Sequence, residues 1–458
     1  MSQNREQWGS KLGFILAASG SAVGIGNIWK YPHMAGQNGG AAFTLVYLAC
    51  ILVVGLSIVI AEFVIGRKTQ LSPVGAFEQL APSTNWKWVG FLGVASAFVI
   101  LSFYGVVGGW VLKYVIVSIT GGFNELAGDP DAAGKVFNTF ITDTWSPIIY
   151  QVFFMAFCVW VIVNGVKGGI EKWSKIMMPL IVVLLAVLAV RGMTLPGGMK
   201  GISFLFNPRF EDLTANSIVL ALGHSFFTVS LGMGTMITYG SYLNRKQNLL
   251  NSAVWVIALD TAIAMLAGIA IFTTVFALGA NPAEGPGLIF VVLPSVFSQL
   301  AGGTLWGTMF FVLLFMAALT SAISILEVVT AYFIDQKGWS RKKATIQFGA
   351  VITIVGVFCS LSMGGGVNIT EFLGMTFFDV MDYLSAKYML PIGGMLTAIF
   401  ILRKWGIPNF MAELKIGMED TNISSGLVQI VLTIAAAVVA FIIFNEVYAE
   451  IFGKALIG

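Results

Sequence analysis

Charged side chains make up only 10% of the 458 residues, against 57% apolar, so the chain has too little polar surface to enclose a soluble core. A soluble reading is excluded. Cysteine is also scarce: Cys50, Cys158 and Cys359 lie within apolar stretches and lack the spacing of a disulfide framework or a metal site. Buried thiols of this kind act as small hydrophobes. No Gly-x-x-x-x-Gly-Lys-Ser/Thr phosphate loop is present, which argues against direct ATP coupling and leaves an ion gradient as the energy source. No nucleophile and base stand at a catalytic spacing, so the chain is not expected to be an enzyme. The net charge of +3 belongs to loop residues and does not suggest nucleic-acid binding.

What the chain has instead is a succession of apolar stretches, each about as long as the roughly 20 residues that cross a bilayer. Eleven are expected, near residues 11 to 36, 41 to 66, 88 to 120, 147 to 166, 173 to 191, 216 to 241, 248 to 278, 302 to 335, 342 to 362, 375 to 402 and 426 to 452. The fold class is therefore an all-α polytopic membrane protein. Met1 to Ser10 is polar and runs into the first span without a cleavage site, so no removable signal peptide is expected. With the N-terminus in the cytoplasm, most of the 25 Lys and Arg residues fall inside, among them Arg67, Lys68, Arg245, Lys246, Arg341, Arg403 and Lys415. An odd number of spans then leaves the C-terminus outside. Between spans, Asn38-Gly-Gly40 reads as a turn and Pro73 to Thr84 as a cytoplasmic loop. External loops are expected at residues 121 to 146, carrying Glu125, Asp129, Asp131 and Asp143, and from Pro282 to Pro286.

The first span contains Ala18-Ser-Gly-Ser-Ala-Val-Gly-Ile-Gly-Asn27, with three glycines and two serines where an unbroken helix is expected. An unwound turn in mid-bilayer survives only where it lines a cavity and meets a ligand. Gly20, Gly24 and Gly26 would make that turn inexpensive, since glycine enters strained backbone regions freely. The free carbonyls suit a cation, and the free N–H groups suit a carboxylate. A second interruption, Ser225 to Gly234, lies five spans later, where Gly232-Met-Gly234 echoes Gly24-Ile-Gly26. Five is odd, so this copy enters from the opposite side, the inverted-repeat pattern of secondary transporters with a midplane site.

Polar groups in other spans extend the pattern. Thr320 and Ser321 could complete an oxygen cage with the carbonyls of the first break, sized for a small hard cation such as sodium. Asp260 lies deep in the seventh span, where a carboxylate is a functional-site hypothesis by default. Glu62 and Lys387 are assigned structural roles, and His224 a place in the core.

Together, Trp8-Gly-Ser-Lys-Leu-Gly13, Gly24-Ile-Gly-Asn-Ile-Trp-Lys-Tyr-Pro32, Asn38-Gly-Gly40, Gly169-Ile-Glu-Lys172, Phe226-Phe-Thr-Val-Ser-Leu-Gly232 and Leu319-Thr-Ser321 resemble the neurotransmitter:sodium symporter family. The likeness is to its bacterial amino-acid transporters of the leucine-transporter type and spans essentially the whole chain. It implies the leucine-transporter fold: a 5+5 inverted repeat at residues 1–192 and 193–404, helices 1 and 6 unwound, and an eleventh helix with the C-terminal tail at 405–458.

The resemblance further implies two sodium sites. One uses the Ala22 carbonyl, Asn27, Thr228 and Asp260; the other uses Gly20, Val23, Ala317, Thr320 and Ser321. The implied substrate pocket is Ala22, Ile25, Gly26, Ile100, Tyr104, Phe227, Thr228, Ser230, Met233, Ser321 and Ile325. Tyr104 would hold the substrate carboxylate and Phe227 would cover it from outside. An outer gate falls on Lys30 and Asp382, and an inner gate on Arg5 and Asp335 beside Trp8 and Tyr242. Asp260 stands where the family often has asparagine, which argues for chloride independence. Gly24 stands where amine-transporting relatives carry aspartate, so substrates should bring their own carboxylate. Met233 suits bulky side chains. The expected function is sodium-coupled import of hydrophobic L-amino acids, aromatic ones included, across the cell membrane, with no organic cofactor. A membrane-embedded amino-acid sensor or a substrate-gated channel on the same fold is the alternative.

Overall fold

The computed structural model describes residues 5–126, 129–279, 287–364, 374–418 and 423–453. The loop expected from Pro282 to Pro286 lies outside them. Among the described residues, nine unbroken helices are long and apolar enough to cross a membrane, and one bent pair makes a tenth span. The pair is α1 (Lys11–Ala22) and α2 (Gly26–Gln37), which meet at 52°. Next come α3 (Ala41–Thr69), α4 (Lys87–Ile119), α5 (Ser146–Val163) and α6 (Val166–Met193). The sixth apolar segment is divided into α7 (Ala215–Thr228) and α8 (Thr235–Gly240), each too short to span alone. After it run α9 (Leu249–Ala277), α10 (Gly303–Lys337), α11 (Arg341–Leu361) and α12 (Phe377–Trp405). A short helix, α13 (Ile407–Leu414), leads to α14 (Ser425–Phe452). These account for all eleven expected segments.

Local chemistry sets the ends. The side chains of Ser10, Asn248 and Ser340 accept from backbone N–H groups three residues on, at the starts of α1, α9 and α11. Thr214 and Ser217 form a reciprocal capping box on α7. Gly338 and Gly453, both left-handed, stop α10 and α14. Three widened π-type turns stand directly before prolines, with Tyr31, Leu293 and Leu390 donating to Gly26, Leu288 and Ser385. Pro32, Pro294 and Pro391 cannot donate, and their rings clash with the carbonyl four residues back, so the widened turn makes room.

The share of the apolar window buried is 83% in α10 and 28% in α14, which makes α10 the central post and α14 a peripheral strut. α1 lies against α9 and α10, and α3 packs against both halves of the interrupted span. Close approach replaces bulk where α3 meets α8: a Cβ on Gly240 would stand 3.0 Å from the Phe63 carbonyl oxygen. Gly39 and Gly40 have positive φ, as the expected turn requires. Two expected loops contain helices instead, Pro73–Leu80 and Pro130–Thr142. Proline at the first helical position favours both, since it lacks an N–H that the first turn would leave free anyway.

Candidate functional site

The first break is narrower than the ten-residue stretch suggests. The helix is lost only at Val23 and Gly24, where Val23 turns to an extended ψ of 102°. Nor do its glycines serve as expected, because Gly20, Gly24 and Gly26 are absent from the positive-φ positions. Their use is close approach. A Cβ on Gly24 would stand 2.6 Å from Ser321 Oγ and 3.0 Å from the Tyr104 hydroxyl. The second break, Val229 to Gly234, does use left-handed backbone, at Ser230, Gly232 and Gly234. The echo of Gly-x-Gly between the two is thus a likeness of sequence and not of conformation.

The breaks touch each other: Ser230 Oγ donates to the Ser21 carbonyl at 2.9 Å. Glu62 holds the second break from behind, its Oε1 accepting from the Gly232 N–H at 2.8 Å. Between them lies a cavity of about 330 Å³ lined by Ala22, Gly26, Ile100, Tyr104, Phe227, Thr228, Ser230, Met233, Ser321 and Ile325. Every expected pocket residue is there except Ile25, which faces a neighbouring cavity of about 820 Å³. Ser21 and Gly24 join the lining without having been foreseen. Gly26, Tyr104 and Phe227 line both cavities. The Tyr104 hydroxyl accepts from the Ile25 N–H at 3.3 Å.

Two oxygen-rich clusters flank the smaller cavity. In the first, Asp260 Oδ1 accepts from Asn27 Nδ2 at 2.7 Å, while the Thr228 and Tyr47 hydroxyls approach the carboxylate at 3.3 and 3.4 Å. Asp260 is fully buried, and among the described residues no Lys, Arg or His pairs with it. Ala22 lines the cavity beside this group. In the second, Ser321 Oγ lies 3.4, 3.2 and 3.3 Å from the carbonyls of Gly20, Ser21 and Val23. Thr320 Oγ1 reaches the Ala317 and Val23 carbonyls at 3.0 and 3.5 Å. All five residues expected at that site therefore converge. Both clusters are oxygen sets of the kind that hard cations prefer.

At one end of the bundle, Arg5 pairs with Asp335 and donates to Ser241 Oγ at 2.6 Å. The Trp8 indole donates to the Tyr239 carbonyl at 3.0 Å, and Arg5 lies 4.7 Å above the Tyr242 ring. Tyr242 donates to Glu327, and Arg341 joins Glu327 to Glu6 at 2.7 and 2.8 Å. That second ion network was not foreseen, although Glu327 is a carboxylate in an apolar span and the rule that selects Asp260 would also have selected it. At the other end, Lys30 and Asp382 both line the 820 Å³ cavity but do not pair; the Lys30 ammonium lies 4.5 Å above the Phe227 ring. Lys387 pairs with Glu446 at 2.5 Å and ties α12 to α14. His224 is core, its ring against Tyr31 and Tyr47.

Two interrupted helices that meet at a buried cavity, flanked by oxygen clusters and barred at one end, define a secondary transporter. Residues 5–127 and 141–453 match the model of the sodium:neurotransmitter symporter family, and the chain belongs to it. It is 41% identical to an uncharacterized sodium-dependent transporter, YhdH, of Bacillus subtilis, over 91% of each chain. A sodium- and chloride-dependent GABA transporter of Drosophila melanogaster is 27% identical over 84% of this chain and 45% of its own. Among solved structures, MhsT in complex with L-phenylalanine superposes with a TM-score of 0.88 and 46% identity, covering 96% of this chain and 99% of its own. The chain is a multi-pass, sodium-dependent symporter and not an enzyme.

Proposed function

We propose that the chain imports hydrophobic L-amino acids, aromatic ones included, together with two sodium ions and without chloride. The observation that carries this reading is the small cavity between the breaks, whose lining divides between apolar side chains, Ile100, Met233 and Ile325 among them, and backbone and hydroxyl groups. That division suits a zwitterion with an apolar side chain. Gly24 offers no carboxylate for an amine-only substrate, so the substrate supplies its own, held by the Gly26 N–H, the Tyr104 hydroxyl and a sodium ion. The L-phenylalanine bound in MhsT supports the aromatic part of the reading.

One sodium site consists of the Ala22 carbonyl, Asn27, Thr228 and Asp260, and the other of Gly20, Val23, Ala317, Thr320 and Ser321. Asp260 supplies in fixed form the negative charge that chloride would otherwise bring. With the Arg5 end taken as cytoplasmic and the C-terminus outside, Arg5 and Asp335 form the inner gate and Lys30 and Asp382 the outer one. Substrate enters past Lys30 and Asp382, and Phe227 covers it. Residues 1–192 and 193–404 then rock about the site, with 405–458 apart from the repeat, and the Arg5–Asp335 contact parts.

Uptake of radiolabelled Trp and Leu into proteoliposomes tests this, with an inward sodium gradient or potassium in its place, with and without chloride. Sodium-dependent, chloride-indifferent accumulation is expected, lost in Asp260→Asn. Chloride-dependent uptake would overturn the role of Asp260, and binding without accumulation would identify a sensor.

A further inference from the structure

Away from the breaks, an apolar groove of about 980 Å³ separates α3 from α13 and α14. Leu52, Leu56 and Ile60 of α3 face Leu414 of α13 and Leu427 and Leu432 of α14. The one hydroxyl in the lining, Ser57, already donates to the Val54 carbonyl at 2.8 Å, so the groove gives water nothing to bond. α14 is the least buried span, and Leu52 and Leu427 are more than half exposed, so the groove opens sideways into the bilayer. Hydrocarbon is what can fill it.

One end of the groove is strongly basic. There Arg67 is fully buried: it pairs with Glu413 at 2.9 Å and donates to the carbonyls of Gln247 and Ile416 at 2.6 and 3.2 Å. Those bonds draw the segments around Gln247 and Ile416 to the end of α3, beside the α13 residues that line the groove. Glu413 is shared between Arg67 and Lys68, the latter pairing with it at 3.7 Å and remaining 43% exposed. Arg245, Lys246 and Lys415 are exposed and form no ion pair among the described residues. Three cations without an ion pair among the described residues, and the part-exposed Lys68, thus lie by the end of the apolar slot, and basic residues at a headgroup level attract anionic lipid.

We infer that this groove binds one acyl chain of an anionic phospholipid whose phosphate lies among Lys68, Arg245, Lys246 and Lys415. The acyl chain gives affinity through the apolar walls, and the four cations select the headgroup. Because Leu56 and Ile60 share α3 with Glu62, the lipid also braces the helix that holds the second break.

Native mass spectrometry of the full chain, titrated with dioleoyl phosphatidylglycerol or dioleoyl phosphatidylcholine, tests the site. One tight phosphatidylglycerol adduct is expected, with phosphatidylcholine at least tenfold weaker. Lys246→Gln with Lys415→Gln should weaken the phosphatidylglycerol adduct about fivefold for each residue changed and leave phosphatidylcholine unmoved. Ser57→Trp, which fills the groove, should remove the tight adduct. The two lysines are exposed, so the charge variants read the site even if the tryptophan misfolds. Equal binding of both lipids, insensitive to the lysine changes, would overturn the proposal. So would a dimer whose formation competes with lipid, since a second copy would then cover the groove.

Discussion

The two ends of the transport path carry the same kinds of residue in opposite arrangements. At the Arg5 end, one guanidinium meets Asp335, Ser241 and the Tyr242 ring, while Arg341 clamps Glu6 and Glu327. At the Lys30 end, an ammonium and two carboxylates, Asp379 and Asp382, line one open cavity without meeting. The difference lies in donor geometry and enclosure. A guanidinium has five fixed donors and can hold several partners at once, whereas an ammonium is a compact charge that hydrates easily. Asp335 is mostly enclosed and also accepts from the Ser72 N–H, so its partner cannot leave without stranding it. On the proposed transport path, the Arg5 end would therefore act as a cooperative seal, and the Lys30 end as an entrance that opens and closes at little cost.

Removing the seal should have the largest effect. Breaking a buried pair by deleting one partner costs about 3 to 5 kcal/mol, and partial exposure of Arg5 puts this one at the lower end. Arg5→Ala should shift the population more than tenfold toward a state open at that end. Hydrogen exchange at residues 235–242 should rise steeply, while sodium-driven accumulation collapses and substrate binding survives. If exchange there stayed at the wild-type level, Arg341 with its two carboxylates would be the true seal.

A smaller effect is expected from the middle of the path. Ser321 and Asp335 both belong to α10, one turned toward the first break and the other toward Arg5. Whatever holds Ser321 thus steadies the seal without touching it. Ser321→Ala removes a ligand of the proposed sodium site and a hydrogen bond, a loss of about 1 to 3 kcal/mol. The sodium concentration for half-maximal transport should rise at least fivefold, and sodium should no longer slow hydrogen exchange at residues 235–242. Retained protection would separate the ion cluster from the seal and remove α10 as their link.

Asp260, Thr320 and Ser321 were legible in the sequence itself, whereas the full oxygen clusters and the Arg5–Asp335 pair came through the family resemblance, for a physical reason. Gly, Ser and Thr within an apolar run, or Asp260 alone in a span, stand out against hydrocarbon because each requires a local partner. The breaks were found that way. Their form was not, because whether a glycine serves a positive φ, as Gly232 does, or a close approach, as Gly24 does, depends on which helix lies opposite. For Ile25 the same holds: a bend of 52° turned it to the larger cavity. The network of Glu6, Arg341 and Glu327 joins residues more than 300 positions apart, and no spacing along the chain reports that contact. The fold was legible through hydropathy and through the family resemblance, since each span satisfies its own backbone.

The entrance should respond least, and in a direction that tests the contrast between ends. Lys30→Arg replaces a point charge with a fork able to take Asp382 bidentately. An exposed pair contributes about 0.2 to 1 kcal/mol, so the closed entrance should gain at most about fivefold in population. Substrate association should slow by that factor with dissociation slowed in parallel, leaving the equilibrium affinity nearly unchanged; stopped-flow measurement of binding separates the two rates. Adding Asp382→Asn to Lys30→Arg should return association to the wild-type rate. A gain in affinity of tenfold or more would mean that Lys30 contacts the substrate itself, and that its place above the Phe227 ring belongs to the binding site and not to the entrance.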